Sequence, residues 1–227
     1  MINQQLDIKE IINNQKLRKE LAINSLYWFF HIYLHDYVHF KTADFQKEII
    51  NIAEDQNLKN AFIVAFRGSA KSTLATLALP LWSIVGRYKK KFIVIISQTQ
   101  SQAKLILSNI RGEIEHNELF IKDFGHLSTS STNNEWNSGT IVIGKSGIRI
   151  SVYSTGESIR GIRNLSARPD LIIGDDLEDL ASVKSRDIRE QTFNWFTGEI
   201  MPLGDPKTKL IVIGNLLHED SLMMKIK

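Results

Sequence analysis

Residues 67–73 read RGSAKST and come directly after the apolar run AFIVAF (61–66), so a lysine and three hydroxyls stand just past a strand-like segment. Those residue types suit the holding of a phosphate chain. Such a chain needs backbone N–H groups aimed at it, a helix N-terminus behind them, a lysine at its oxygens and a hydroxyl for the accompanying Mg2+. Lys71 and Ser72 stand in the required positions, Thr73 is next, and Arg67, Gly68, Ser69 and Ala70 form the bend. The usual spacing is G-x-x-x-x-G-K-[ST], and here both glycines are alanines, Ala65 and Ala70. Gly68 permits an unusual backbone angle inside the turn, while the alanines stiffen the loop. The plain alternative is a surface lysine after a strand.

About a hundred residues downstream, DLIIGDDLED (170–179) is an apolar run ending in Asp175, Asp176, Glu178 and Asp179. Four carboxylates in five positions repel one another, and a bound cation relieves that best. Asp175 is placed to hold Mg2+ through water, and Asp176 to polarise an attacking water. Such a base is more usually glutamate, which makes Glu178 the alternative. A solvated strand end would explain one carboxylate more comfortably than four. A third segment, KLIVIGNLLHEDSL (209–222), runs from an apolar stretch into a polar turn. Asn215 there could sense a terminal phosphate and move the segment after it, or the turn could be a strand-to-helix connection capped by Asp220 or Ser221.

The elements that must position these residues alternate. AFIVAF, KKFIVIISQT (90–99), RPDLIIGDD (168–176) and TKLIVIGN (208–215) read as strands. Helical spacing separates them in TLATLALPLWSIVG (73–86), which Pro80 should kink or divide, in SQAKLILSNIRGEIEHN (101–117) and in DIREQTFNWFTGEIM (187–201). Continuously apolar strands separated by helices predict an α/β fold, a mainly parallel sheet covered on both faces. EWNSGTIVIGKSGIRISVYSTG (135–156), with glycines at 139, 144 and 147, predicts a hairpin or meander beside that sheet. Before the first strand, Thr42 or Asp44 could cap a short helix, and residues 1–40 predict a helical segment too rich in aromatics to stand in water unpacked.

The 227 residues suit one large domain, here 41–227, with the helical segment packed upon it. The chain contains no cysteine, which excludes disulfides, thiolate metal sites and cysteine nucleophiles. A polar start and the lack of an 18-residue apolar run argue against a secretory signal or membrane span, leaving a soluble intracellular protein as the default. A net charge of +3 permits a nucleic-acid partner without demonstrating one.

RGSAKST, LIIGDDLED and VIGNLLHEDSL, in that order and spacing, resemble the ATPase domain of the large terminase subunit, the DNA-packaging motor of tailed bacteriophages and related proviruses. The similarity covers roughly residues 40–227, and SIRGIRN (158–164) adds an R-G-x-R element before the acidic strand. The resemblance implies a RecA-like P-loop ATPase of the ASCE type that binds ATP and Mg2+. Residues 67–73 would hold the phosphates, with Ser72 and Asp175 on the metal side. Arg67 would stabilise charge at the transferred phosphoryl group, or Arg160 or Arg163 would do so from a neighbouring subunit. Gln46 would read adenine, with Phe45 as a stacking partner or a core residue. The implied partners are double-stranded DNA, the portal protein and the small terminase subunit, in a homo-oligomeric ring on the capsid within the bacterial host cytoplasm and without membrane attachment. Family members continue into an RNase H-like nuclease domain, which this sequence, if complete as given, lacks. Two other classes fit the first two motifs: a helicase- or recombinase-like DNA-dependent ATPase, and a nucleotide-binding assembly module with little turnover.

Overall fold

A computed structural model describes residues 8–127, 136–143 and 147–226. Six strands form one sheet: β1 (Asn60–Val64), β2 (Phe92–Ser97), β3 (Thr140–Ile143), β4 (Ile148–Ser154), β5 (Leu171–Asp175) and β6 (Lys209–Gly214), in the spatial order β1-β6-β5-β2-β4-β3. All neighbours are parallel except β3, which pairs antiparallel with β4 at the edge. β2, β5 and β6 are buried at every position, which is why their sequences are unbroken apolar runs rather than alternating ones. The α/β class follows from this topology, and the insertion of β6 between the loop-bearing β1 and the acidic β5 makes it RecA-like.

Successive residues of each central strand feed two different cores. Ile93, Ile95, Ile173, Ile211 and Ile213 face one layer, and Phe92, Val94, Ile96, Ile172 and Val212 the other. The first layer holds the N-terminal helices α2 (Gln15–Asn24) and α3 (Leu26–Tyr33), preceded in the chain by the short α1 (Ile8–Asn13), then α4 (Asp44–Glu54), α5 (Leu79–Val85), α6 (Gln100–His116) and α7 (Glu118–Phe124). Phe29, Ile32 and Leu34 are buried there, so the aromatic N-terminal stretch is part of this core. Opposite lie α8 (Arg186–Trp195), the π-turn Phe196–Ile200 that extends it, and α9 (Leu222–Lys225).

Three local expectations are corrected. The hairpin expected around β3 and β4 forms, β3 pairing antiparallel with β4, but it is part of the sheet rather than beside it: β4 pairs in register with β2 from Phe92↔Arg149 to Ser97↔Ser154, because Ile148, Ile150 and Val152 supply a face that the core can cover. Of its turn glycines, Gly144 lies outside the described residues. α4 is capped by neither Thr42 nor Asp44. Thr42 is taken up by a 2.7 Å hydrogen bond with His31 Nε2, Asp44 is already helical, and Ala43 occupies the cap position, its N–H donating to Gln46 Oε1 at 2.9 Å. The third correction concerns α9: Ser221 stands at its N-cap position, but neither its side chain nor that of Asp220 makes the cap bond, and the first N–H is met by Glu178 Oε2 at 2.7 Å. At Pro80 the helix does divide: Thr73–Ala78 form a π-turn and α-geometry resumes at Leu79, a register shift suited to a missing N–H.

Candidate nucleotide site

β1, β6 and β5 are adjacent, and their C-terminal ends bring the three motifs to one edge of the sheet, the place where open α/β sheets bind ligands. Ala65 N donates to Gly214 O at 3.0 Å, carrying the β1–β6 pairing one residue into the loop. Beyond it the chain bends through two left-handed residues, Gly68 at φ 79° and Ala70 at φ 60°. The first is glycine, for which the region is free; the second carries a Cβ and is strained. Gln46 braces the bend, Nε2 donating to Ser69 O at 2.9 Å. Phe45 and Phe66 meet beside it with ring centroids 5.3 Å apart, and Phe66 is largely exposed.

Lys71 is 5% exposed at the head of the next helix. Its Nζ donates to Asn215 Oδ1 at 3.3 Å and lies 3.8 Å from Asp176 Oδ2. Asn215 Nδ2 in turn donates to Asp176 Oδ1 at 3.1 Å. The asparagine amide therefore spans the lysine and the carboxylate, using its acceptor on one and its donor on the other. Beside them Ser72 Oγ donates to Asp175 Oδ1 at 2.9 Å. Burial, then the charge of Asp176, pushes the Asp175 carboxyl up to about 6, with Ser72 and Lys71 opposing. Thr73 opens the π-turn and lines, with Ser72, Asp175 and Asp176, a cleft of about 330 Å³.

Other candidates lie apart from this cluster. Glu178 points to the N-terminus of α9; its Oε1 is buried without a partner, and burial raises its pKa while the Leu222 N–H lowers it. Arg160 forms an ion pair with Glu199 at 2.9 Å and lines a different cavity, near Gly198 and Pro202. Arg67 is exposed at the loop and makes no hydrogen bond or ion pair among the described residues. His218 Nδ1 accepts from Asp220 N at 2.9 Å, and Asp220 is held by Arg189 and Lys225, so this turn is braced on its own neighbours. Two residues escaped the sequence reading: Ser97, at the end of β2, and Gln102, in the first turn of α6, which line the cleft and share a 3.4 Å hydrogen bond. Their signal was only positional, since polar groups at the C-terminal end of a buried strand lie at the ligand edge.

The donor set fits a nucleotide accompanied by Mg2+. Mg2+ is commonly bound by one or two carboxylates together with phosphates and waters rather than by an all-protein cage. Ser72 and Asp175 offer that partial set, and among the described residues no group of three or more His, Asp or Glu gathers as a complete metal site. The Ser69 hydroxyl, buried inside the loop without a partner, is a further polar group able to take a ligand.

No protein-family model matches the chain, and no curated protein matches it in sequence. Among solved structures, the large terminase ATPase domain of Thermus phage P74-26 is similar, with a TM-score of 0.45 and 14% identity over 78% of this chain and 70% of that one. It is of the family that the three motifs resemble. No helix among the described residues is long and apolar enough to cross a membrane.

Proposed function

We propose that this chain is a terminase-type ATPase, hydrolysing ATP with Mg2+ to drive double-stranded DNA into a viral capsid. The observation that carries the proposal is the meeting of Lys71, Ser72, Asp175, Asp176 and Asn215 at the ends of three adjacent strands. In this account the loop N–H groups and Lys71 bind the phosphates, while Ser72 and Asp175 hold Mg2+, which neutralises charge on the phosphate oxygens when bound. Asp176 accepts the proton of the attacking water, held in place by Asn215. Glu178 is the weaker candidate for that role, because its carboxylate is engaged by the Leu222 N–H. Arg67, uncommitted at the loop, is suited to stabilise charge on the transferred group. Arg160, paired with Glu199, contributes only if a neighbouring subunit brings it to another copy's site. Gln46, which touches Ser69 O, would link adenine recognition to the loop.

Lys71 leaves Asn215 for the phosphates when nucleotide binds, and Asn215 is then free to report the terminal phosphate to residues 216–222. The duplex, the portal protein, the small terminase subunit and a ring of identical subunits follow from the family resemblance. The test is turnover with duplex, single-stranded or no DNA: stimulation chiefly by duplex supports packaging, and stimulation chiefly by single strands supports a helicase- or recombinase-like ATPase instead. One observation favours a second reading, a nucleotide-binding assembly module with little turnover: the residue at the water-activating position is an aspartate tied to Asn215 and near Lys71. Tight nucleotide binding without turnover under every condition would support it.

A further inference from the structure

At the other end of the sheet, the segment leading into β5 makes a tight two-residue turn. Asn164 N donates to Ala167 O at 3.0 Å and Ala167 N to Asn164 O at 2.9 Å, so Leu165 and Ser166 form its tip. Leu165 is 94% exposed and sits at φ 56°. A branched residue in the left-handed region is strained, and exposure of its side chain returns nothing to the fold. The turn is also rigidly seated, since Asn164 Nδ2 donates to Gly147 O at 3.0 Å and to Lys91 O at 3.3 Å. Those carbonyls precede β4 and β2, which puts the tip about a strand's length, roughly 17 Å, from the nucleotide site.

Arginines flank the tip. Arg163 is exposed and makes no hydrogen bond or ion pair among the described residues. Among the described residues Arg168 donates only to neutral carbonyls, Pro202 O at 3.1 Å and Gly204 O at 3.2 Å. Both line, with Arg160, a cavity of about 430 Å³. Glu199 is the carboxylate there, and it is already used by the Arg160 guanidinium and by the N–H groups of Ile159 and Arg160. Two guanidinium charges therefore stand unneutralised around a concave surface with a stiff apolar tip beside it.

We propose that this turn is a DNA-docking surface, with Arg163 and Arg168 on backbone phosphates and Leu165 against the sugars of a duplex groove. The proposal rests on the reading of the chain as a DNA-handling ATPase, which supplies the polyanion; the geometry supplies the place. Guanidinium forks match phosphate oxygens and carry no sequence preference there. An apolar side chain presented on a rigid turn matches the way groove-binding proteins use leucine. The strain at Leu165 is then kept for the contact it makes with the duplex.

The test is fluorescence anisotropy of a labelled, random-sequence duplex across a salt series, for the wild-type chain, Arg163→Ala and Leu165→Gly. Binding of a fluorescent ATP analogue by each protein serves as a check on folding. Arg163→Ala should weaken duplex binding and lower the slope of log affinity against log salt by roughly one. Leu165→Gly, which relieves backbone strain, should weaken binding with the slope retained and nucleotide affinity unchanged. Wild-type binding that neither variant alters would overturn the docking surface while leaving the DNA reading standing. No duplex binding by the wild-type chain would overturn both. A changed oligomeric state with unchanged duplex affinity would make the turn a contact between copies and likewise overturn the proposal.

Discussion

Ala70 holds a backbone angle that glycine holds freely, at the position where the usual loop has glycine. Ala70→Gly should remove left-handed strain of about 1–2 kcal/mol against a loss of about 0.5–1 kcal/mol in chain entropy. A net gain of roughly 0.5 kcal/mol is expected from those figures, read as a higher urea midpoint at unchanged slope. Asp176 shows a further consequence of backbone geometry. Its φ of 45° turns the chain so that Leu177 enters the core and Glu178 swings to α9. Counting carboxylates along DDLED could not separate the base candidates, because their directions depend on that one dihedral angle. The two roles predict different losses. Glu178→Gln should leave most turnover intact while weakening the start of α9 by about 1 kcal/mol; Asp176→Asn should reduce turnover by at least about a hundredfold if it takes the water proton. A Glu178→Gln protein as inactive as Asp176→Asn would reverse the assignment. Asn215→Ala should lower turnover with nucleotide affinity largely kept, measured by titration against steady-state rate, since it removes the group that orients Asp176 while Lys71, which in this account leaves Asn215 for the phosphates, remains.

Among the elements, the buried strands were legible because each is a run of β-branched and aliphatic residues with no polar face, and the division of the helix at Pro80 because a missing N–H must be accommodated; that the division takes the form of a π-turn was not. β4 was less legible, because IRISVYS alternates like an edge strand yet lies between β2 and β3. Tertiary pairing, which no local pattern encodes, decides such a case. The same holds for the anchor of the N-terminal helices. Arg18 of α2 meets the buried Asp123 of α7 at 2.6 Å, and Tyr33 and Gln15 add hydrogen bonds. Burial alone would raise the Asp123 carboxyl, but bonds from Arg18, Tyr33 and Gln15 hold it below its ordinary value. A depressed carboxyl stabilises the fold above its unfolded pKa, near 3.8, and that contribution fades as pH falls through the lower folded value. Asp123→Asn should therefore cost about 3–5 kcal/mol at neutral pH, because it leaves Arg18 buried without its partner charge. In urea unfolding the gap between wild type and variant should narrow once the pH drops below about 4.

Over the whole molecule, one sheet would separate the two proposed tasks. Its C-terminal edge gathers the lysine, the serine and the two aspartates, and its opposite edge presents arginines and an exposed leucine. Which residues gather at the first edge could be read from motif order, because every strand of a parallel sheet ends on the same side. The role of Asn215 as a bridge could not, since it depends on β6 lying between β1 and β5. The central claim is that this gathered cluster hydrolyses ATP. The measurement that tests it most directly is phosphate release from ATP and Mg2+ by the wild-type chain beside Lys71→Ala, with duplex DNA present. The account predicts wild-type turnover that Lys71→Ala abolishes along with nucleotide binding. Equal turnover by the two proteins, or a wild-type chain that binds no nucleotide, would contradict it.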